Sequence, residues 1–215
     1  SLFCWLTAIN GYAWLMFDPA EKELARAFAP NFNSEQLKLL SSWQPAMYML
    51  TAPLATKMLL KNDGLRHVMR VGVALELAGA TLKMCAFIAP HHAFSLALLH
   101  VGQICSACTS PIAIGTPAHL SATWFAEDER ARATGAGVLF NNIGNAFAFI
   151  AVPTVAKVFG YRYVVGMELV QAIVLFGLVY ALFPSESRPH RHLKDINALG
   201  EPTDRFSVTI TEGGT

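Results

Sequence analysis

ATGAGVLFNNIGNAFAFIAVPTVA, residues 133–156, decides the fold class. The stretch holds no Asp, Glu, Lys, Arg or His. It is longer than the roughly 20 mostly apolar residues that a helix needs to cross a bilayer core. A helix on the surface of a soluble bundle carries a polar stripe opposite its apolar face, and none recurs here. Alternation with a period of two is also missing, which argues against a strand. The reading is a transmembrane helix.

Working outward, residues 163–183 repeat the pattern, with Glu168 near the expected outer end, where exposure at the interface is the simpler reading. On the other side, apolar segments occupy residues 1–17, 37–60, 67–89 and 93–124. The last is too long for one crossing, so the membrane part is expected over 93–117, with the remaining turns leaving the bilayer or bending at Pro117. The expected architecture is an all-α membrane protein whose six transmembrane helices fill residues 1–184. Residues 185–215 form a polar, disordered cytoplasmic linker or tail. Composition agrees: 53% of residues are hydrophobic and 14% charged, against about 45–50% and about 25% in ordinary soluble domains. Mean hydropathy is +0.39. A net charge of +1 leaves no basic excess for a nucleic-acid partner. Four cysteines in 215 residues do not make a disulfide scaffold. The chain opens at Ser1 inside an apolar run, without a basic n-region or an A-x-A site. It is therefore read as a piece of something longer, without a signal peptide.

Basic residues gather between the second and third segments (Lys57, Lys61, Arg66, His67, Arg70) and after the sixth (Arg188, Arg191, Lys194). By the positive-inside rule both regions, and Ser1, are cytoplasmic. Charges within spans are costly and usually functional. Glu76 and Lys83 lie seven residues apart on one helix face, which fits a proton or charge relay. The competing reading has Lys83 snorkelling to the outer headgroups and Glu76 paired within the bundle. Asp18, where the first helix leaves the membrane, is either part of that relay or simply solvated. Asn141, Asn142, Asn145 and Gln103 are amides in apolar helices. They hydrogen-bond either a solute or a neighbouring helix. Trp14, with Tyr12, belongs to the interfacial aromatic belt or offers its face to a quaternary ammonium. Trp43 and Tyr48 have the same two readings. The small residues of the fifth helix permit close helix approach. Cys105-x-x-Cys108 has no second pair at zinc spacing, and His91-His92 is a weak metal signal, so neither metal nor cofactor is expected. No catalytic motif is visible, and an enzyme is not expected.

Several motifs resemble those of a known branch of transporters. They are Asn10-Gly11-Tyr12-Ala13-Trp14, Tyr48-Met49-Leu50-Thr51, Gly64-Leu65-Arg66, Gly115-Thr116-Pro117, Trp124-Phe125, Glu129-Arg130-Ala131-Arg132-Ala133-Thr134 and Asn141-Asn142-Ile143-Gly144. Together they resemble the N-terminal half of a major facilitator superfamily transporter. Within that superfamily the likeness is to the feline leukaemia virus subgroup C receptor-related and disrupted-in-renal-carcinoma branch, solute carrier family 49. The resemblance covers nearly all of residues 1–183. It implies alternating-access transport of a choline- or ethanolamine-like amine or a haem-type solute. The alternatives are a proton-linked, pyridoxine-like vitamin exported from lysosomes, and a truncated membrane interaction protein that does not transport. The implied membrane is plasma or lysosomal. Carried over, Trp14 supplies a cation–π face, Asn142 and Gln103 polar contacts, with Asn10 and Tyr12 beside them. Gly64, Arg66, Glu129 and Arg130 belong to cytoplasmic loop motifs. The implied partners are lipid, the solute, and a C-terminal six-helix half or a second copy. Two departures stand out: Lys61 occupies an acidic position of the superfamily's loop motif, and Asn142 replaces a glutamine.

Overall fold

The computed structural model describes residues 2–28, 32–61, 63–89, 92–124 and 126–183. Its elements are α1 (Leu2–Leu15), a 3₁₀ turn (Asp18–Ala20), α2 (Glu21–Phe28), α3 (Ser34–Leu59), α4 (Gly64–Ala86), α5 (His92–Ala107), α6 (Ser110–Gly115), α7 (Pro117–Trp124), α8 (Arg130–Phe159) and α9 (Tyr161–Leu182). No strand occurs among the described residues. The expected tail, 185–215, lies outside them.

All six apolar segments fold as helices, but three of them meet the length and apolarity of a membrane crossing. These are the α5–α7 stretch (Ala93–Ala122), α8 and α9. α1 is apolar and shorter. α4 carries Arg66, Arg70, Glu76 and Lys83, and α3 mixes Ser, Gln and Thr with its apolar residues, which dilutes their hydropathy.

Two details differ from the sequence reading. The first connection is not a plain loop. Pro19 stands in the opening of the 3₁₀ turn behind Asp18, Glu21 and Glu23 favour the N-terminus of α2, and Leu24 and Phe28, one turn apart, are buried. The fourth segment breaks twice rather than once. α5 ends before Ser110-Pro111 and α6 before Pro117, because proline cannot donate to the preceding turn.

Close glycine contacts set the packing. A Cβ on Gly144 would run into the Ala8 carbonyl of α1, and one on Gly11 into the Asn141 carbonyl of α8. The two helices therefore touch backbone to backbone, as small residues permit in membrane bundles. α4 and α5 cross in the same way. A Cβ on Gly102 would lie 2.8 Å from the Gly79 carbonyl and 2.8 Å from Lys83 Cγ.

The core divides into two apolar clusters. One contains Tyr12, Met16, Phe17, Leu24, Phe28, Tyr161 and Val164. The other contains Phe3, Leu6, Ile9, Val68, Met69, Val73, Ile112, Leu175 and Val179. On α4 and α9 the buried charges Glu76, Lys83 and Glu168 fall, along the chain, between the residues of the two clusters. The bundle thus holds a polar layer between two oily ones.

Candidate functional site

The polar layer is fully buried: Glu76, Lys83, Gln103 and Glu168 each show 0% exposure. Lys83 Nζ forms an ion pair with Glu168 Oε1. It also donates to Gln103 Oε1 at 3.3 Å, and Gln103 Nε2 donates to the Ala13 carbonyl at 3.1 Å. Two sequence expectations are corrected here. Lys83 does not snorkel to headgroups, and Glu168 is not exposed at an interface. Each supplies the other's counter-charge, which is how a bundle interior tolerates ionised groups. Gln103 likewise faces inward, joining α4 to α1. It is not exposed for solute contact. Neither carboxylate oxygen of Glu76, nor Oε2 of Glu168, nor Oγ of Ser106 has a hydrogen-bond partner.

A cavity of about 300 Å³ is lined by Trp14, Gln44, Pro45, Tyr48, Met49, Ser110 and Ile114. Its surface is apolar. Trp14 is half-buried, and it directly follows Ala13, which closes the hydrogen-bond chain from Lys83. Asn10 is buried behind the cavity. Its Oδ1 accepts from Gln44 Nε2 at 3.1 Å, and its Nδ2 lies 3.4 Å from Ser110 Oγ. Asn10 therefore positions two cavity-lining residues and is not itself among the lining. Sequence reading missed Gln44 and Ser110. A glutamine one turn before Tyr48 on the same helix face was the available signal.

The remaining candidates fall elsewhere. Tyr12 is buried in the core, with its hydroxyl donating to the Val164 carbonyl at 3.0 Å. It ties α1 to α9 and does not reach the cavity. Asn142 is exposed on α8 and does not line the cavity. Asn141 donates to the Thr7 carbonyl at 2.9 Å, a helix-to-helix bond. Asp18 is half-buried and accepts from Ser41 Oγ at 2.6 Å, so it fastens the 3₁₀ turn to α3. Trp43 Nε1 donates to His100 Nδ1 at 3.1 Å, joining α3 to α5. Gly64 sits in the tight α3–α4 turn, where a Cβ would meet the Leu59 carbonyl. Asp63 before it adopts φ 56°, a left-handed conformation that Asp tolerates better than most residues. Arg66 is half-buried with its Nε unpartnered. Glu129 is exposed and borders, with Arg132, Phe3 and Cys4, a groove at the α1–α8 end. Arg130 lies 3.8 Å from Glu127 on the surface. Among the described residues no group of three or more His, Cys, Asp or Glu could hold a metal.

The Major Facilitator Superfamily model matches residues 3–211. The chain is 31% identical over 155 residues to a solute carrier family 49 member 4 homolog of Xenopus tropicalis, covering 72% of this chain and 32% of that protein. It is 28% identical over 155 residues to the choline/ethanolamine transporter flvcr2b of Danio rerio, covering 71% and 30%. It is 25% identical over 169 residues to the choline/ethanolamine transporter FLVCR1 of Mus musculus, covering 77% and 28%. The chain thus spans about a third of the length of the curated relatives it matches.

Proposed function

The chain belongs to the Major Facilitator Superfamily, and on that premise we propose that it moves a small organic amine of the choline or ethanolamine kind by alternating access. All six long apolar segments cross the membrane in this reading, with Gln44 of α3 and Glu76 and Lys83 of α4 turned inward. The observation that carries it is the Trp14 cavity. An aromatic face beside Tyr48 in an apolar pocket suits a methylated ammonium. The cation is attracted to the ring and its methyl groups to the apolar wall. The cavity surface offers no fixed anion, so attraction by the ring face takes its place.

Exposed apolar side chains on α3 (Met49, Leu50, Leu54) and α8 (Phe147, Ile150) support covering by lipid together with a second six-helix body or a second copy. The working membrane is plasma or lysosomal. A second reading, export of a pyridoxine-like vitamin linked to protons, draws support from the buried carboxylates Glu76 and Glu168.

The test is uptake of labelled choline, ethanolamine and pyridoxine into cells making the complete protein. Choline or ethanolamine moving above control supports the amine reading, and pyridoxine alone moving transfers support to the second. No movement of any of them rejects both and leaves a non-transporting membrane protein as the reading to pursue.

A further inference from the structure

The polar layer contains one more acid than it can balance. α4 supplies Glu76 and Lys83, and α9 supplies Glu168, all without solvent exposure. Lys83 pairs with Glu168. Glu76 lies against Glu168, Lys83 and Thr109, yet neither of its carboxylate oxygens, nor Glu168 Oε2, makes a well-formed hydrogen bond. Ionised, the three groups would leave a surplus negative charge in a layer closed to bulk solvent. An unpaired buried charge is far costlier than a neutral buried acid. One proton removes the difficulty. A neutral Glu76 carboxyl has a hydrogen to donate, and Glu168 Oε2 is an acceptor without a donor.

Among the described residues the other basic groups of α4 (Arg66, His67, Arg70), of α5 (His100) and of α9 (Arg162) form no ion pair with Glu76. α1 and α6 contain no charged residue, and those of α3, Glu35, Lys38 and Lys57, lie near its two ends. The titratable groups of the packed helices whose charge would be felt at Lys83 or Glu168 are Cys105 of α5, Tyr12 of α1 and Tyr161 of α9. None of these supplies a positive charge. Thr109 also flanks Glu76, but its hydroxyl donates to the Gly72 carbonyl at 3.4 Å.

We infer that Glu76 is the site of an exchangeable proton, and that its loading is coupled to the Trp14 cavity through Glu168, Lys83, Gln103 and the Ala13 carbonyl. The coupling rests on the transport reading above. On one side of the membrane a hydronium O–H bond breaks as the Glu76 carboxyl O–H bond forms, leaving water; on the other side the carboxyl O–H breaks and the proton passes to water, regenerating hydronium and the carboxylate. The chain of contacts runs from Lys83 to Gln103 Oε1 and from Gln103 Nε2 to the backbone directly preceding Trp14. The close Gly79–Gly102 crossing holds α4 against α5 at the level of Lys83. A shift of Lys83 toward or away from Glu76 is therefore felt at α1.

The experiment uses the full-length protein in proteoliposomes, with labelled choline, ethanolamine and pyridoxine as probes and pH gradients of either polarity. At one proton per solute, a gradient of one pH unit sustains about tenfold accumulation, since one unit is a tenfold ratio of proton activity. The expected result is such accumulation for the wild type with one polarity. Glu76→Gln then equilibrates the same solute without accumulating it, and Glu76→Asp restores part of the response. Accumulation by Glu76→Gln equal to wild type overturns the inference. So does a wild type that moves solute without regard to the gradient. Infrared difference spectroscopy on the same protein separates this inference from the transport reading. A carboxylic-acid carbonyl band present in wild type and lost in Glu76→Gln supports the proton site even where no probe moves. Its absence from wild type overturns the site even where transport is found.

Discussion

Lys83→Met tests the buried ion pair most directly. The substitution preserves much of the side chain's volume and removes its charge, leaving Glu168 and Glu76 together at 0% exposure without a cation. Breaking a buried pair from one side costs about 3–5 kcal/mol, because the remaining charge is uncompensated. For a chain of about this size each kcal/mol moves Tm by about 2–4 °C, so the expected fall is about 6–20 °C. The loss of the bond to Gln103 acts in the same direction. The double variant Lys83→Met/Glu168→Leu removes both partners. It should recover most of the loss, since replacing both members of a buried pair by apolar groups is often neutral. Thermal unfolding of the detergent-solubilised protein, followed by tryptophan fluorescence, measures both. The deficit of the single variant should shrink in acidic buffer, where both carboxyls can be neutral. A single variant within about 2 °C of wild type, or a double variant no better than the single, would refute the assignment of Lys83 and Glu168 as partners.

Trp14→Ala should weaken choline uptake by a factor of about 2–30, corresponding to about 0.5–2 kcal/mol of cation–π attraction. Uptake of a neutral solute through the same protein should change much less, and equal losses for both would exclude the ring face as the ammonium site. Tyr12→Phe should lower Tm by about 2–4 °C, since a neutral hydrogen bond contributes about 1 kcal/mol. Its solute KM should stay unchanged, whereas a KM effect without a Tm effect would return Tyr12 to the solute site. Gly144→Ala forces the α1–α8 backbones apart and should cost about 1–3 kcal/mol as overpacking, read as reduced Tm and yield. Ala146→Leu, at an exposed position on the same helix, should leave both unchanged.

Much of the helical layout was legible because helix length and apolarity are local properties. The break at Pro117 and the small-residue packing of α8 could be read in the same way. α2 was missed because its apolar face is only Leu24 and Phe28, too short for periodicity to register. The site was only partly legible. Trp14 lines the cavity; Gln103, open in the sequence between a solute and a neighbouring helix, bonds helices; Tyr12, open between the aromatic belt and an ammonium site, is buried in the core; Gln44 and Ser110 lie in no motif that marks them. The reason is rotational. α1 and α9 are apolar nearly all round, so amphipathicity cannot tell which face of each turns inward.

By itself, the sequence determined the chain's class, its apolar segments and its family, because each depends on residues close together or on motifs in fixed order. Only the tertiary structure decided which charges meet. Lys83 and Glu168 stand 85 residues apart, on helices whose rotation and depth are set by backbone contacts such as Gly79–Gly102. No spacing rule links residues on separate helices. The identity of a buried charge's partner therefore follows from packing, and the uncompensated carboxylate of Glu76 emerges only when the bundle is assembled.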